Sequence, residues 1–272
     1  MSDIKRPVPF ILVSSNHGTM IVNRNDYCVD GKGNAWGVGF QILNTGSHDH
    51  QEVDFILALL ARRRKHFGAG VVALDCGANI GVHTIEWARA MYGWGEVLAF
   101  EAQEKVFYAL AGNVVINNCL NVSARHCAVG ENCGQIEIPE PDYLVPASFG
   151  SLELKKTDRT EFIGQQIDYQ KTRCVPQISI DSLRLKRLDL IKIDVEGMEE
   201  DVLKGAAESI AAHSPIMMIE ILKTDKTTIE RMLLTVGYKC YVLGYMLLAV
   251  HTNDPLARNM RFENGALSLG AL

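Results

Sequence analysis

Apolar positions along this chain follow two rhythms, and the change between them falls near Val71. Upstream, residues 1 to about 50 show little helical periodicity. Short runs such as Thr19-Met20-Ile21-Val22 lie between Gly/Asn/Asp clusters at residues 23–26 and 30–34, which predicts hairpins and loops. Val53, Ile56, Leu57 and Leu60 then fall on one stripe, so a helix is expected over residues 53–65.

From Val71 short apolar runs alternate with amphipathic stretches. Strands are predicted at residues 71–74, 96–100, 121–128, 188–193, 215–221, 238–243 and 246–250, with helices at 81–91, 104–117, 199–212 and 225–236. This alternation specifies an α/β fold, a mostly parallel sheet with helices on both faces. Only Gly244-Tyr245 separates the last two strands, and so short a link allows only antiparallel pairing. The sheet should therefore end in a C-terminal antiparallel hairpin. Residues 130–177 break the rhythm with Pro139, Pro141, Pro146 and a Ser/Phe/Gly stretch at 148–151; an irregular insertion of this length is read as a lid or substrate-facing segment.

The chain has 272 residues, 47% of them hydrophobic, enough for one main domain at residues 68–272 preceded by a hairpin/loop segment and helix at 1–67. A net charge of −5 supplies no cationic field for polyanions, so nucleic acid is set aside as a partner. The basic run Arg62-Arg63-Arg64-Lys65-His66 is read as the solvent-facing last turn of the 53–65 helix, where cations complement the helix dipole. Seven scattered cysteines without a Cys-x-x-Cys pair suggest reduced thiols rather than a disulfide framework or zinc site. With neither a signal-like N-terminus nor an apolar run of about 20 residues, the expectation is a soluble cytoplasmic protein without a membrane partner. No motif decides between a monomer and a homo-oligomer.

The sharpest chemical signal is Leu74-Asp75-Cys76-Gly77-Ala78-Asn79-Ile80-Gly81-Val82-His83-Thr84, at the junction of the first predicted strand and helix of the alternating region. Ligands of doubly wound sheets bind beyond the carboxyl ends of the strands where strand order reverses, and the first strand-helix turn is normally that point. Gly77 would let backbone approach a ligand, Gly81 would permit tight helix-to-strand packing, and Asp75 can counter an ammonium group. About 20 residues after Gly81 comes Glu101, placed to accept the hydroxyls of a ribose. A dinucleotide enzyme would use the same layout but wants Gly at the middle loop position, where this chain has Asn79. A side-chain amide there suits the amino-acid end of a sulfonium cofactor better than a diphosphate. After the third strand, His126-Cys127-Ala128-Val129-Gly130 can offer main-chain groups to an adenine edge.

A second segment, Asp189-Leu190-Ile191-Lys192-Ile193-Asp194-Val195-Glu196-Gly197-Met198-Glu199-Glu200, puts Lys192 and Asp194 on one strand face and Ile191 and Ile193 on the other. Glu196 follows in the turn, and Glu220 ends the next strand. Asp194, Glu196, Glu220 and Lys192 should thus converge, a set able to hold a hydroxyl and remove its proton. Three carboxylates also suit a hard divalent cation, but the reading adopted is metal-free, with Asp194 or Glu196 as base. His83 is read as capping or orienting the loop, His126 as partly buried structure, and Trp36, Phe40, Trp87 and Trp94 as core or loop anchors.

Leu-Asp-Cys-Gly-Ala-Asn-Ile-Gly, then Phe100-Glu101, then Ile-Lys-Ile-Asp-Val-Glu-Gly-Met-Glu resembles the FkbM-type methyltransferase family over residues 74–221. The resemblance implies a seven-stranded, Rossmann-like class I methyltransferase fold, S-adenosylmethionine as donor, and an oxygen acceptor on a sugar, glycan or small natural product. Carried over by position, Asp75, Gly77, Asn79, Gly81 and Glu101 would contact the cofactor, while Asp194 and Glu196 face its methyl group and the acceptor. Ala78, His83, Thr84, Ala102 and Ala128 complete the expected cofactor set. One departure is Ala102-Gln103 where such enzymes often carry proline, which leaves the shape of that turn open. Two other readings are a nicotinamide-dependent oxidoreductase, disfavoured by Asn79, and a non-catalytic S-adenosylmethionine-binding module, which would not require the carboxylates after the fourth strand.

Overall fold

A computed structural model describes residues 7–258, 260–263 and 266–269; the outer limits expected above, residues 1 and 272, lie outside these. In chain order the elements are β1 (Phe10–Ser15), β2 (Gly18–Asn23), β3 (Cys28–Val29), β4 (Ala35–Trp36), α1 (Val38–Thr45), α2 (His50–Phe67), β5 (Val71–Cys76), α3 (Val82–Ala90), β6 (Gly95–Glu101), α4 (Glu104–Ile116), β7 (Val122–His126) and β8 (Ala128–Val129). There follow β9 (Gly134–Pro139), β10 (Thr172–Ile178), β11 (Leu190–Ile193), α5 (Glu199–Lys204), α6 (Ala207–His213), β12 (Ile216–Glu220), α7 (Lys226–Thr235), β13 (Tyr238–Leu243), β14 (Met246–His251), β15 (Met260–Glu263) and β16 (Ala266–Leu269).

Seven of these strands form the central sheet in the order β13-β14-β12-β11-β5-β6-β7. Pairing is parallel from β12 through β7, whereas β14 runs antiparallel to both its neighbours. The expected hairpin is therefore present, with its second strand inserted between β12 and the edge strand β13. Patterning explains the choice: Met246 to Val250 are buried without a break, as an inner strand requires, while β13 is buried fully only at Tyr238. Strand order reverses at β5, with β6 on one side and β11 on the other, and this opens the crevice that positions the site.

Both sheet faces are covered, as β5 records residue by residue. Val71 and Ala73 enter a core with Ile56, Leu60, Ile85 and Trp87 of α2 and α3, whereas Val72, Leu74 and Cys76 enter a second core with Val202, Ile210, Ile229 and Leu233 of α5 to α7. The β1–β2 hairpin packs on α4, where the fully buried Asn113 amide bonds both the N–H and the C=O of Ile21 and also the C=O of Ile80. Through that one side chain the N-terminal hairpin braces the loop after β5.

Several expectations are corrected in detail. Helix α1 lies inside the stretch expected to be only hairpins and loops. Residues 121–128 are not one strand, because the chain leaves the main sheet at Cys127 and β8 joins β10 instead. The insertion at 130–177 contains β9 and β10, paired antiparallel, and its turns carry a small core of Ala147, Phe149, Leu152 and Ile163. The helix expected at 199–212 is broken at Gly205, where a Cβ would lie 2.1 Å from the carbonyl oxygen of Gly130. Asp181 restarts it by accepting the N–H groups of Glu208 and Ser209. Arg63 is not on the solvent face of its helix: it is buried and pairs with Asp189 and Asp254, tying α2 to β11 and to the segment after β14. No helix among the described residues is long and apolar enough to cross a membrane.

Candidate active site

Beyond the carboxyl ends of β5, β6, β11 and β12 lies a cavity of about 450 Å³. The β5–α3 loop forms its floor. Gly77, at φ 82°, could carry no side chain, because a Cβ would stand 1.8 Å from the carbonyl oxygen of Asp194. Glycine is therefore demanded by the neighbouring strand end rather than by a ligand. Asn79 takes the left-handed conformation (φ 50°), which its short polar side chain tolerates, and its Oδ1 accepts the N–H of Ile80. Its own N–H donates to Glu101 Oε2 at 3.0 Å, while Gln103 N–H donates to Oε1 at 2.8 Å. Burial raises the Glu101 carboxyl to about 7 against the pull of these two bonds.

Gln103 gives the turn without proline its shape. Its amide donates to the carbonyl of Phe149 and accepts from the hydroxyl of Tyr143, so the insertion is fastened to the end of β6. Asp75 is buried beneath the loop, with Oδ2 accepting from Thr84 Oγ1 at 2.6 Å and Oδ1 without a protein partner. Burial raises its carboxyl despite Lys192 nearby.

Of the expected cofactor residues, Asp75, Gly77, Ala78, Asn79, His83, Glu101, Ala102 and Ala128 line this cavity; Gly81 and Thr84 do not. Thr84 orients Asp75 from behind. Gly81 caps α3 where a Cβ would meet Leu110 of α4 at 2.6 Å, so the packing it permits is between helices. His83 is buried in the first turn of α3, 3.5 Å from Glu52, and burial followed by the charge of Lys192 holds it well below the usual imidazole range. His126 bonds the carbonyl of Ala102 and stacks on Phe107. Trp36, expected as an anchor, stands on the cavity wall.

The other end of the cavity is ionic. Lys192, Asp194, Glu196 and Glu220 converge as expected, and oxygens of the three carboxylates lie within 4.8 Å of one another. Lys192 Nζ bonds Asp194 Oδ2 at 2.7 Å; burial opposes its charge, but Asp194, Glu52 and Asp75 hold it protonated. Burial and the Asp194 charge together raise Glu196 to about 8 and Glu220 to about 9.

Three further residues were not singled out in the sequence. Lys223 reaches from the loop after β12 to Glu196 Oε2 at 2.7 Å and to the carbonyl of Ser151 at 2.6 Å, so one ammonium joins the carboxylate cluster to the insertion. Glu199 Oε1 accepts the N–H groups of Val195 and Gly197, shaping the turn that holds Glu196 at φ 54°. Glu52 of α2 lines the same cavity. An acidic residue in the first turn of a predicted helix could have flagged Glu199; nothing local in sequence marks Lys223 or Glu52.

Residues 75–240 match the methyltransferase FkbM domain. Methyltransferase 1 of Beauveria bassiana (strain ARSEF 2860) is 30% identical over 146 residues, covering 48% of this chain and 57% of its own length. Methyltransferase sdnD of Sordaria araneosa is 30% identical over 161 residues, covering 50% of this chain and 60% of its own. The chain thus spans somewhat over half the length of these curated relatives. The crystal structure of methyltransferase FkbM from Methylobacillus flagellatus KT superposes with a TM-score of 0.48 at 18% identity, covering 67% of this chain and 43% of that one.

Proposed function

From the premise that this chain belongs to the FkbM methyltransferase domain family, we propose that it transfers a methyl group from S-adenosylmethionine to a hydroxyl oxygen of a sugar, glycan or small natural product. The observation that carries this reading is one continuous cavity across the strand ends, running from Glu101 of β6 past Asp75 of β5 and its register neighbour Lys192 to Asp194, Glu196 and Glu220. About 450 Å³ lies within the usual range of small-molecule sites.

The lining fits the donor. The partnerless, buried Oδ1 of Asp75 suits an ammonium group. Each oxygen of Glu101 has one backbone N–H bond and keeps a further lone pair for a ribose hydroxyl. When bound, S-adenosylmethionine supplies a methyl group on a sulfonium centre already activated for in-line displacement. The chain's task is then alignment, exclusion of water and removal of one proton. Lys192 fixes Asp194, Lys223 fixes Glu196, and Asp194, or Glu196 once ionised above about pH 8, can take the proton of an acceptor hydroxyl. Glu220, kept protonated near neutrality by burial, can donate a hydrogen bond to the acceptor. Residues 68–272 form the methyltransferase domain in this reading, residues 1–67 brace it, and the 130–177 insertion acts as its lid.

Isothermal titration with S-adenosylhomocysteine, beside an identical titration with NAD, tests the donor. Saturable binding of the first alone is expected, followed by transfer of labelled methyl groups to hydroxyl acceptors. Binding of NAD alone would replace this reading with the oxidoreductase one.

A further inference from the structure

A second recess of about 420 Å³ adjoins the reaction end of the cavity. Gln41, Asp49, Glu52 and Tyr245 line both spaces, so the two meet at a polar waist. Beyond the waist the inner wall is apolar, with Phe55 from α2 and Met218, Leu243 and Met246 from the sheet, while the exposed His50 and Gln51 of the first turn of α2 also line the recess. The floor is continuous with the reacting cluster. Met218 and Glu220 are two residues apart on β12 and so share a face; Met218 pairs in register with Lys192, and Met246 with Glu220. A molecule whose oxygen sits among Asp194, Glu196 and Glu220 would therefore extend over Met218 and Met246 without leaving the sheet face. The opposite end of the main cavity, at Glu101 and Ala128, is taken by the donor in the reading above.

We infer that this recess holds the apolar body of the acceptor, and that the acceptor is an amphipathic alcohol, a hydroxyl borne on an apolar skeleton with polar atoms at the Gln41–Glu52 waist, rather than a free sugar. This rests on the methyl-transfer reading for the position of the reacting oxygen. Asp49 and Glu52 at the waist suit hydroxyl or amine donors on the skeleton, and the four apolar side chains of the inner wall offer nothing to a second polyol ring, polar groups being confined to the waist and to the exposed His50 and Gln51.

Hexyl and methyl β-D-glucoside present the same hydroxyls and differ only in apolar length. Titrated into the wild-type protein, with and without S-adenosylhomocysteine, the hexyl compound is expected to bind at least about tenfold more tightly. Phe55→Trp and Leu243→Trp each fill the recess and should reduce that ratio to below about threefold, with S-adenosylhomocysteine affinity as the check on folding. A hexyl glucoside tipped with a diazirine locates the chain end on wild-type protein and should label the recess walls, on α2 near Phe55, on β12 near Met218 or on the β13–β14 hairpin. Equal affinities, a preference that survives both substitutions, or labelling confined to other elements would overturn the inference. Failure of S-adenosylhomocysteine to bind would overturn the donor reading separately, because the glucoside ratio is also read on the ligand-free protein.

Discussion

The two ends of the cavity are built on different principles. At the end proposed for the donor the groups come from a contiguous loop and the neighbouring strand end, and they are held chiefly by backbone: Asn79 and Gln103 N–H groups on Glu101, and a hydroxyl on Asp75. At the end proposed for the reaction the same number of strands contributes three carboxylates and a lysine, but further partners come from afar. Lys223 arrives from the loop after β12, Glu52 from α2, and Ser151 from the insertion. A site held by local backbone should keep its ligand when one side chain is lost. A site of mutually dependent charges should not, since removing one charge leaves its buried partner uncompensated.

The largest effect is expected at the reaction end. Asp194→Ala should lower kcat by about 10²–10³-fold while S-adenosylhomocysteine affinity, measured by titration, changes by less than about threefold. Parallel loss of both would erase the distinction between the ends. Next comes their seam, at Gly77. An alanine there sets a Cβ against the Asp194 carbonyl at positive φ, so Gly77→Ala should cost on the order of 3 kcal/mol in denaturant unfolding and weaken ligand binding and turnover together. Damage confined to binding would show that the ends do not share this contact.

Lys223 tests the long-range half of the comparison. Lys223→Met should reduce kcat by about tenfold with little change in donor KM, and Lys223→Arg should recover most of it, since a guanidinium can also bridge a carboxylate and a carbonyl. A purely structural lysine would instead show a lowered Tm and no rescue of kcat. The smallest effect concerns pH. Glu101, Glu196 and Glu220 are raised to about 7, 8 and 9 from 4.5. A carboxyl with a raised folded pKa contributes stability that is complete at acid pH and lost as pH rises through the folded value. Tm of the ligand-free protein should therefore fall from about pH 4.5 to about pH 9, and Glu220→Gln should flatten that fall. Turnover should move the other way, rising through about pH 8 as Glu196 ionises, with the rise absent in Glu196→Gln.

Both ends were legible in sequence to unequal depth. Asp75, Asn79 and Glu101 are short-range signals, because a strand-loop-helix junction fixes its own geometry within a few residues. Lys192, Asp194, Glu196 and Glu220 could be grouped because parallel strands bring like ends together. Gly77 lines the cavity, but the crowding that demands glycine there comes from Asp194, far along the chain. Arg63 was assigned to solvent because its surroundings in sequence are all cationic, whereas Asp189 and Asp254 meet it only in the folded sheet.

The chain's own alternation of apolar runs and amphipathic stretches determined the α/β architecture, the C-terminal hairpin, the loop after β5 and the carboxylates at the strand ends. These follow from periodicities of about two and 3.6 residues and from turn chemistry, all local quantities. Tertiary structure alone decided that β14 lies inside β13, that α5 and α6 part at Gly205, that Lys223 ties Glu196 to Ser151, and that a recess under α2 adjoins the cavity at Glu52 and Tyr245. Each depends on which distant segments share a buried space, and burial there is settled by packing against partners that no local pattern names.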